Sequence, residues 1–230
     1  MLSPLTERQL SARPDALPFV PARTALIIND MQNAFCSPGG YMERIGFSVA
    51  GAPAVIAQVK LLCEGARAAG VTVVHLQNGF SADQHEAPPG APIWHKSNAL
   101  RYMRAHPEAD RTILTHGTWD HDFVAGLEPQ PGDLVIAKSR DSGFAGTSLD
   151  SALRGRDIRT VLVCGIACNV GVESTIRAAY HLDYFAVLVR DATLPAGPAF
   201  IGDATEHNVA TFFGWVTDTT AIMVALRASG

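Results

Sequence analysis

The chain has 230 residues, 47% hydrophobic and 17% charged, with a formal net charge of −4. That length suits one well-cored α/β domain spanning residues 1–230, and the balance is that of a globule, not a disordered chain. The negative charge gives no footprint for nucleic acid, and the opening MLSPLTERQLSARPDALPFV has no apolar run fit for a signal peptide or membrane anchor.

Residues 1–20 read as an extended N-terminal arm. Thr24–Asn29 (TALIIN) is a β-rich run ending at Asp30. Residues 52–69 read as an amphipathic helix closed by Gly70, and 71–76 as a second strand. Residues 78–97, with Gly79, Pro88, Pro89, Gly90 and Pro92, read as a long irregular stretch, which in a compact domain is usually functional. A third strand over 133–137 ends at Lys138, and 148–153 opens a helix. Strands at 160–164 and 185–189 flank a helix at 172–181, the latter strand ending at Asp191. A helix over 199–211, a short strand near 214–217 and a last helix from Thr219 complete the pattern. This alternation predicts a doubly wound parallel sheet with helices on both faces. Such sheets bind ligands beyond the carboxyl ends of their strands. Asp30, Asn78, Lys138 and the turn at 165–171 all fall at those ends, so distant segments are brought to one rim.

A carboxylate beside an ammonium keeps its charge, and both would activate a neighbouring thiol. Asp30 and Lys138 could equally form a plain structural ion pair, and both readings stand on residue type alone. Backbone N–H groups at 165–171 open a helix and could receive developing negative charge, although an ordinary strand-to-helix turn has the same outline. Cys36, Cys63, Cys164 and Cys168 show no CxxC spacing and read as reduced thiols of a cytoplasmic protein. Cys168 could be a displaced nucleophile, but buried packing is the default for a cysteine beside an apolar strand. The eight histidines form no HxxxH or HExxH pair and no GxGxxG follows a strand, so neither a metal nor a dinucleotide cofactor is expected.

ALIINDMQNAF at 25–35, QNG at 77–79, Lys138 after an apolar strand and GIACNVGVEST at 165–175 resemble the isochorismatase-like cysteine hydrolases over nearly the whole chain. PGGY at 38–41, HKSNAL at 95–100, EPQPGD at 128–133, SGF at 142–144, HLDYF at 181–185 and TFFGWV at 211–216 look most like the ureidoacrylate amidohydrolases within that family. The resemblance implies a six-stranded parallel sheet and an Asp–Lys–Cys triad without metal or other cofactor. Asp30 and Lys138 take the first two places, and Gly171 stands where the nucleophilic cysteine belongs. It also implies a cis peptide at Ile166–Ala167 and an oxyanion hole from the N–H groups of Ala167 and Gly171. Gln32, Phe35, Asn78, Phe80, Glu86, Asn98 and Asp141 fall at substrate-lining places, Asp141 where a larger aromatic is expected. The implied partner is a small ureide or amide, with self-association into a homodimer or homotetramer.

Three readings follow from Gly171. In the first, a ureide amidohydrolase has lost its cysteine, leaving an inactive or substrate-trapping form. In the second, the chain is a nucleophile-free hydrolase with Asp30 as general acid, as in true isochorismatases. In the third, it is a ureide-binding pseudoenzyme.

Overall fold

The computed structural model describes residues 7–227. Arg8–Leu10 (β1) and Leu17–Phe19 (β2) pair antiparallel, with Arg8 opposite Phe19. Thr24–Asn29 is β3, followed by the short helices Asn33–Cys36 (α1) and Tyr41–Arg44 (α2) and the long helix Ala52–Ala68 (α3). Thr72–Asn78 is β4, Pro92–Lys96 is α4, Asn98–Ala105 is α5 and Leu134–Lys138 is β5. Leu149–Arg154 (α6), Thr160–Ile166 (β6), Glu173–His181 (α7) and Phe185–Leu194 (β7) follow. Ala199–Asn208 (α8), Trp215–Thr217 (β8) and Thr219–Arg227 (α9) end the described chain.

The expected sheet is borne out: six strands, all parallel, in the order β5-β4-β3-β6-β7-β8. The chain winds outward from β3 through β4 to β5, then returns to lay β6 on the other side of β3. The winding therefore reverses between β3 and β6, and a crevice opens at their carboxyl ends.

β3 is buried along all six residues, as a central strand covered on both faces must be. Its side chains alternate, as the period of two requires. Leu26 and Ile28 join the core beneath α3 and α9, whereas Ala25 and Ile27 join the core beneath α6 and α7. α3 turns Val55, Val59, Leu62, Cys63 and Ala66 inward at helical spacing. It stops because Gly70 adopts φ +75. Gly70 N–H then donates to Arg67 O and Val71 N–H to Ala66 O, capping the last carbonyls.

Four sequence expectations change. The N-terminal arm is not extended through residues 7–20 but folds as the β1–β2 hairpin, because Leu10, Leu17 and Phe19 have apolar surface to bury. Residues 1–6 of that arm lie outside the described residues. The irregular stretch ends early: Asn78 closes β4, and Pro92 starts α4, its fixed φ suiting a first helical turn. β7 runs past Asp191 to Leu194, with a register shift against β6 between Val163 and Gly165. The helix from 199 changes at Val209–Phe213 to a wider π-type turn, and another, Cys168–Val172, precedes α7. Among the described residues no helix is long and apolar enough to cross a membrane.

Candidate active site

At the switch point a cavity of about 540 Å³ opens over the strand ends. Asp30 after β3, Asn78 on β4, Arg140 and Asp141 after β5, and Ala167 and Gly171 after β6 line its floor. Phe35, Tyr41 and Phe47 from the α1–α2 region, with Phe80, Ile93 and Asn98, form apolar-rich walls above.

Asp30 has φ +52, a left-handed conformation that Asp tolerates better than most residues. The turn swings its carboxylate off the strand end. Lys138, two strands away, donates to Asp30 Oδ2 at 2.7 Å and to the carbonyls of Arg140 and Asp141, each at 3.1 Å. An ammonium has three hydrogens, so those of Lys138 are all committed to protein acceptors. Asn29 Nδ2 donates to the same Oδ2 at 3.0 Å, while Asp30 Oδ1 has no partner. Burial raises the Asp30 carboxyl to about 6, against the lowering pull of Lys138 and with a further upward push from Asp141. Asp30 is thus held by one oxygen and free at the other, with a proton affinity suited to transfer near neutral pH.

On the other side of the crevice, the peptide between Ile166 and Ala167 is cis. Gly165 has φ +107, and a Cβ there would stand 2.1 Å from Asn29 O, so the strands approach through glycine. The turn at Cys168–Val172 brings Ala167 and Gly171 to the cavity. Asn169 Oδ1 accepts from Ala196 N–H at 2.8 Å, stapling this turn to the segment after β7.

Of the residues singled out in the sequence, Asp30, Phe35, Asn78, Phe80, Asn98, Asp141, Ala167 and Gly171 line the cavity. Lys138 stands behind Asp30 and reaches the cavity only through it. Gln32 and Glu86 do not line it, which corrects their expected place against substrate. Gln32 is fully buried; it donates to Asn78 O and His121 O and accepts from Asn78 N–H, holding the end of β4. Glu86 accepts from Ser81 N–H and Oγ, and its own carbonyl accepts from Arg140, closing the 81–86 loop on itself. Both were drawn in by family position, and their hydrogen bonds run to neighbouring protein groups. Cys168 packs in the core beneath α7, its thiol pushed up to about 11 by burial. It does not line the cavity.

Sequence reasoning did not single out Tyr41, Lys96, Arg140 and Asn169, all on the cavity wall. All but Arg140 stood inside quoted motifs, PGGY, HKSNAL and GIACNVGVEST, yet nothing in a linear string shows that α2 and α4 fold over the strand ends. Asp120 fixes the first: its buried carboxylate accepts from Tyr41 N–H at 3.0 Å and Leu114 N–H at 2.8 Å.

A parallel sheet wound in this order, with a buried Asp–Lys pair at its switch point, defines an isochorismatase-type domain. A model of the isochorismatase domain matches residues 24–221, and the chain belongs to that family. It is 51% identical over 209 residues to the ureidoacrylate amidohydrolase RutB of Azorhizobium caulinodans, covering 90% of this chain and 92% of the relative. It is 50% identical over 211 residues to the protein of the same name from Pseudomonas syringae pv. syringae, covering 91% and 86%. Among solved structures, a cysteine hydrolase from Pseudomonas syringae pv. phaseolicola superposes with a TM-score of 0.78 at 29% identity, covering 98% of each chain.

Proposed function

We propose that the chain hydrolyses a C–N bond of a small linear ureide or amide, of the ureidoacrylate type, in the cavity over β3–β6. One observation carries the reading: an Asp30 carboxylate clamped through one oxygen by Lys138 and unpartnered at the other, on the wall of a cavity of substrate size. The relatives named ureidoacrylate amidohydrolases, half identical across nine-tenths of the chain, support the substrate class. Lys96 and Arg140 also line the cavity, and among the described residues neither forms an ion pair, which suits a substrate bearing a carboxylate.

Position 171 has no side chain and the four thiols are buried, so the attacking group is water. Asp30 takes a proton from water as the hydroxide oxygen adds to the substrate carbonyl carbon. The carbonyl oxygen, now carrying the negative charge, is met by the N–H groups of Ala167 and Gly171. The C–N bond then breaks as Asp30 passes its proton to the leaving nitrogen. A ureide gives an amine and a carbamate, and the carbamate decays to carbon dioxide and ammonia. Lys138 touches no reacting atom; it holds Asp30 and the loop at 139–141. The trapped or inactive form read from the sequence needs a site whose chemistry rested on one missing thiol, and water needs no residue at 171.

Ammonia release from a panel of ureides and amides, with the loss of a vinyl ether acid followed separately, tests this. Turnover of a ureide is expected for the protein as it stands and for Cys168→Ala. Asp30→Asn should lose on the order of 10²–10⁴-fold. Turnover by Gly171→Cys alone would restore the reading of an amidohydrolase deprived of its cysteine, and cleavage of the vinyl ether alone would favour the isochorismatase reading. The self-association expected for the chain belongs to the same proposal. Phe200 is 67% exposed and Val224 65%, apolar surface that a second copy would cover, and sedimentation velocity reads it directly.

A further inference from the structure

Asn29, the last residue of β3, is fully buried. Its Nδ2 donates to Asp30 Oδ2 at 3.0 Å and to Ile166 O at 3.1 Å. Both partners are acceptors, so the carboxamide cannot be turned over without setting oxygen against oxygen. Its Oδ1 is left with no partner among the described residues. A Cβ built at Gly171 would lie 2.4 Å from Asn29 Nδ2 and 3.1 Å from both Cγ and Oδ1. Non-bonded heavy atoms settle at about 3.5–4 Å, so no side chain fits at 171 while Asn29 keeps its two hydrogen bonds. The space beside Gly171 is occupied.

A water that attacks a carbonyl gives one hydrogen to the base, and an acceptor for its other hydrogen fixes which way a lone pair faces. Two neighbouring residues of one strand end, Asn29 and Asp30, each hold one buried, unpartnered acceptor, both named Oδ1. We propose that Asn29 and Gly171 are a matched pair that substitutes water for a side-chain nucleophile: the Asn29 carboxamide fills the slot beside Gly171, and its Oδ1 orients the hydrolytic water toward Asp30. The water-holding half rests on the hydrolytic reading above; the slot-filling half rests on geometry alone. Asn29 also steadies the general base, since its amide shares Asp30 Oδ2 with Lys138.

The test compares the unaltered chain with Asn29→Val, Gly171→Cys and the double variant. Thiol alkylation at position 171 by iodoacetamide, followed by peptide mass, reads the slot without any turnover. The single Gly171→Cys variant should either alkylate at least tenfold more slowly than the double variant or fail to fold where the double folds. Equal labelling rates would overturn the slot-filling half. Asn29→Val should lower kcat on the order of 10²-fold with KM within about threefold, a split that mere loosening of the site would not give. An unchanged kcat would overturn the water-holding half. The double variant should gain an acyl-enzyme burst that the single Gly171→Cys variant lacks; a burst of equal size in both would overturn the pair. Should neither cysteine variant fold, the kinetics of Asn29→Val decide. A chain inert toward every ureide would sink the hydrolytic reading and the water-holding half with it, while the labelling arm would still judge the slot.

Discussion

Asp30 sets the pH dependence of the site. Its carboxyl is raised to about 6, chiefly by burial. As a general base it acts when ionised, so kcat/KM should rise with pH and level off above about 6. The linked stability has the opposite sense. The folded carboxyl holds its proton more tightly than the unfolded one, so this group's stabilising share is full below the ordinary carboxylate pKa. That share falls as the pH climbs toward 6 and is constant above. Asp141 pushes in the same direction as burial by like charge. Asp141→Asn keeps the size and removes that charge, so the acid limb of the kcat/KM profile should move below its wild-type position. A limb that stays put or moves up would mean the Asp141 charge does not reach Asp30.

At the level of elements, several motifs that point to a family serve to hold strands in register. Asp133, the last residue of EPQPGD, accepts from Arg67 Nη2 on α3 at 2.6 Å, from His75 Nε2 on β4 at 3.1 Å and from Gln130 N–H at 2.9 Å. It ties the entry of β5 to its neighbours. Asp133→Ala strands a buried His75 and half of an ion pair, and should cost about 3 kcal/mol in urea denaturation with little change in KM. The strands themselves were legible because a buried parallel strand is an unbroken apolar run, as TALIIN and TVLVC are. The walls of the cavity were not. The short helices α1, α2 and α4 have four or five residues each, too few for a period to show. Gln32 and Glu86 misled for a related cause: a polar side chain in a motif reads the same whether it meets a ligand or a backbone amide. The glycine at 171 was visible in the string, but the Asn29 side chain that fills its place becomes evident only when β3 and β6 lie side by side.

For the whole molecule, topology decides which residues meet. Asp30, Asn78, Lys138 and Gly171 come from four separate segments, and one reversal of winding between β3 and β6 gathers them. The two sides of the crevice differ in support. β6 lies inside the sheet between β3 and β7, whereas β5 is one of its two edge strands, with Val135 47% exposed. Outer strands open more readily than inner ones. Hydrogen exchange should therefore show faster exchange in β5 than in β3, and a bound ureide should slow exchange in β5. Equal protection of the two strands in the free protein would refute this.

Lys138 rides on that edge strand, yet its ammonium is the clamp on Asp30 at the centre of the sheet. Fraying at the margin and failure of the chemistry are therefore one event. When β5 peels away, the aspartate loses its counter-charge, the 139–141 loop loses its anchor, and the cavity floor comes apart while the rest of the sheet is still folded. Heat should silence the protein several degrees before it melts, and the first part to let go would be a strand that never touches the substrate.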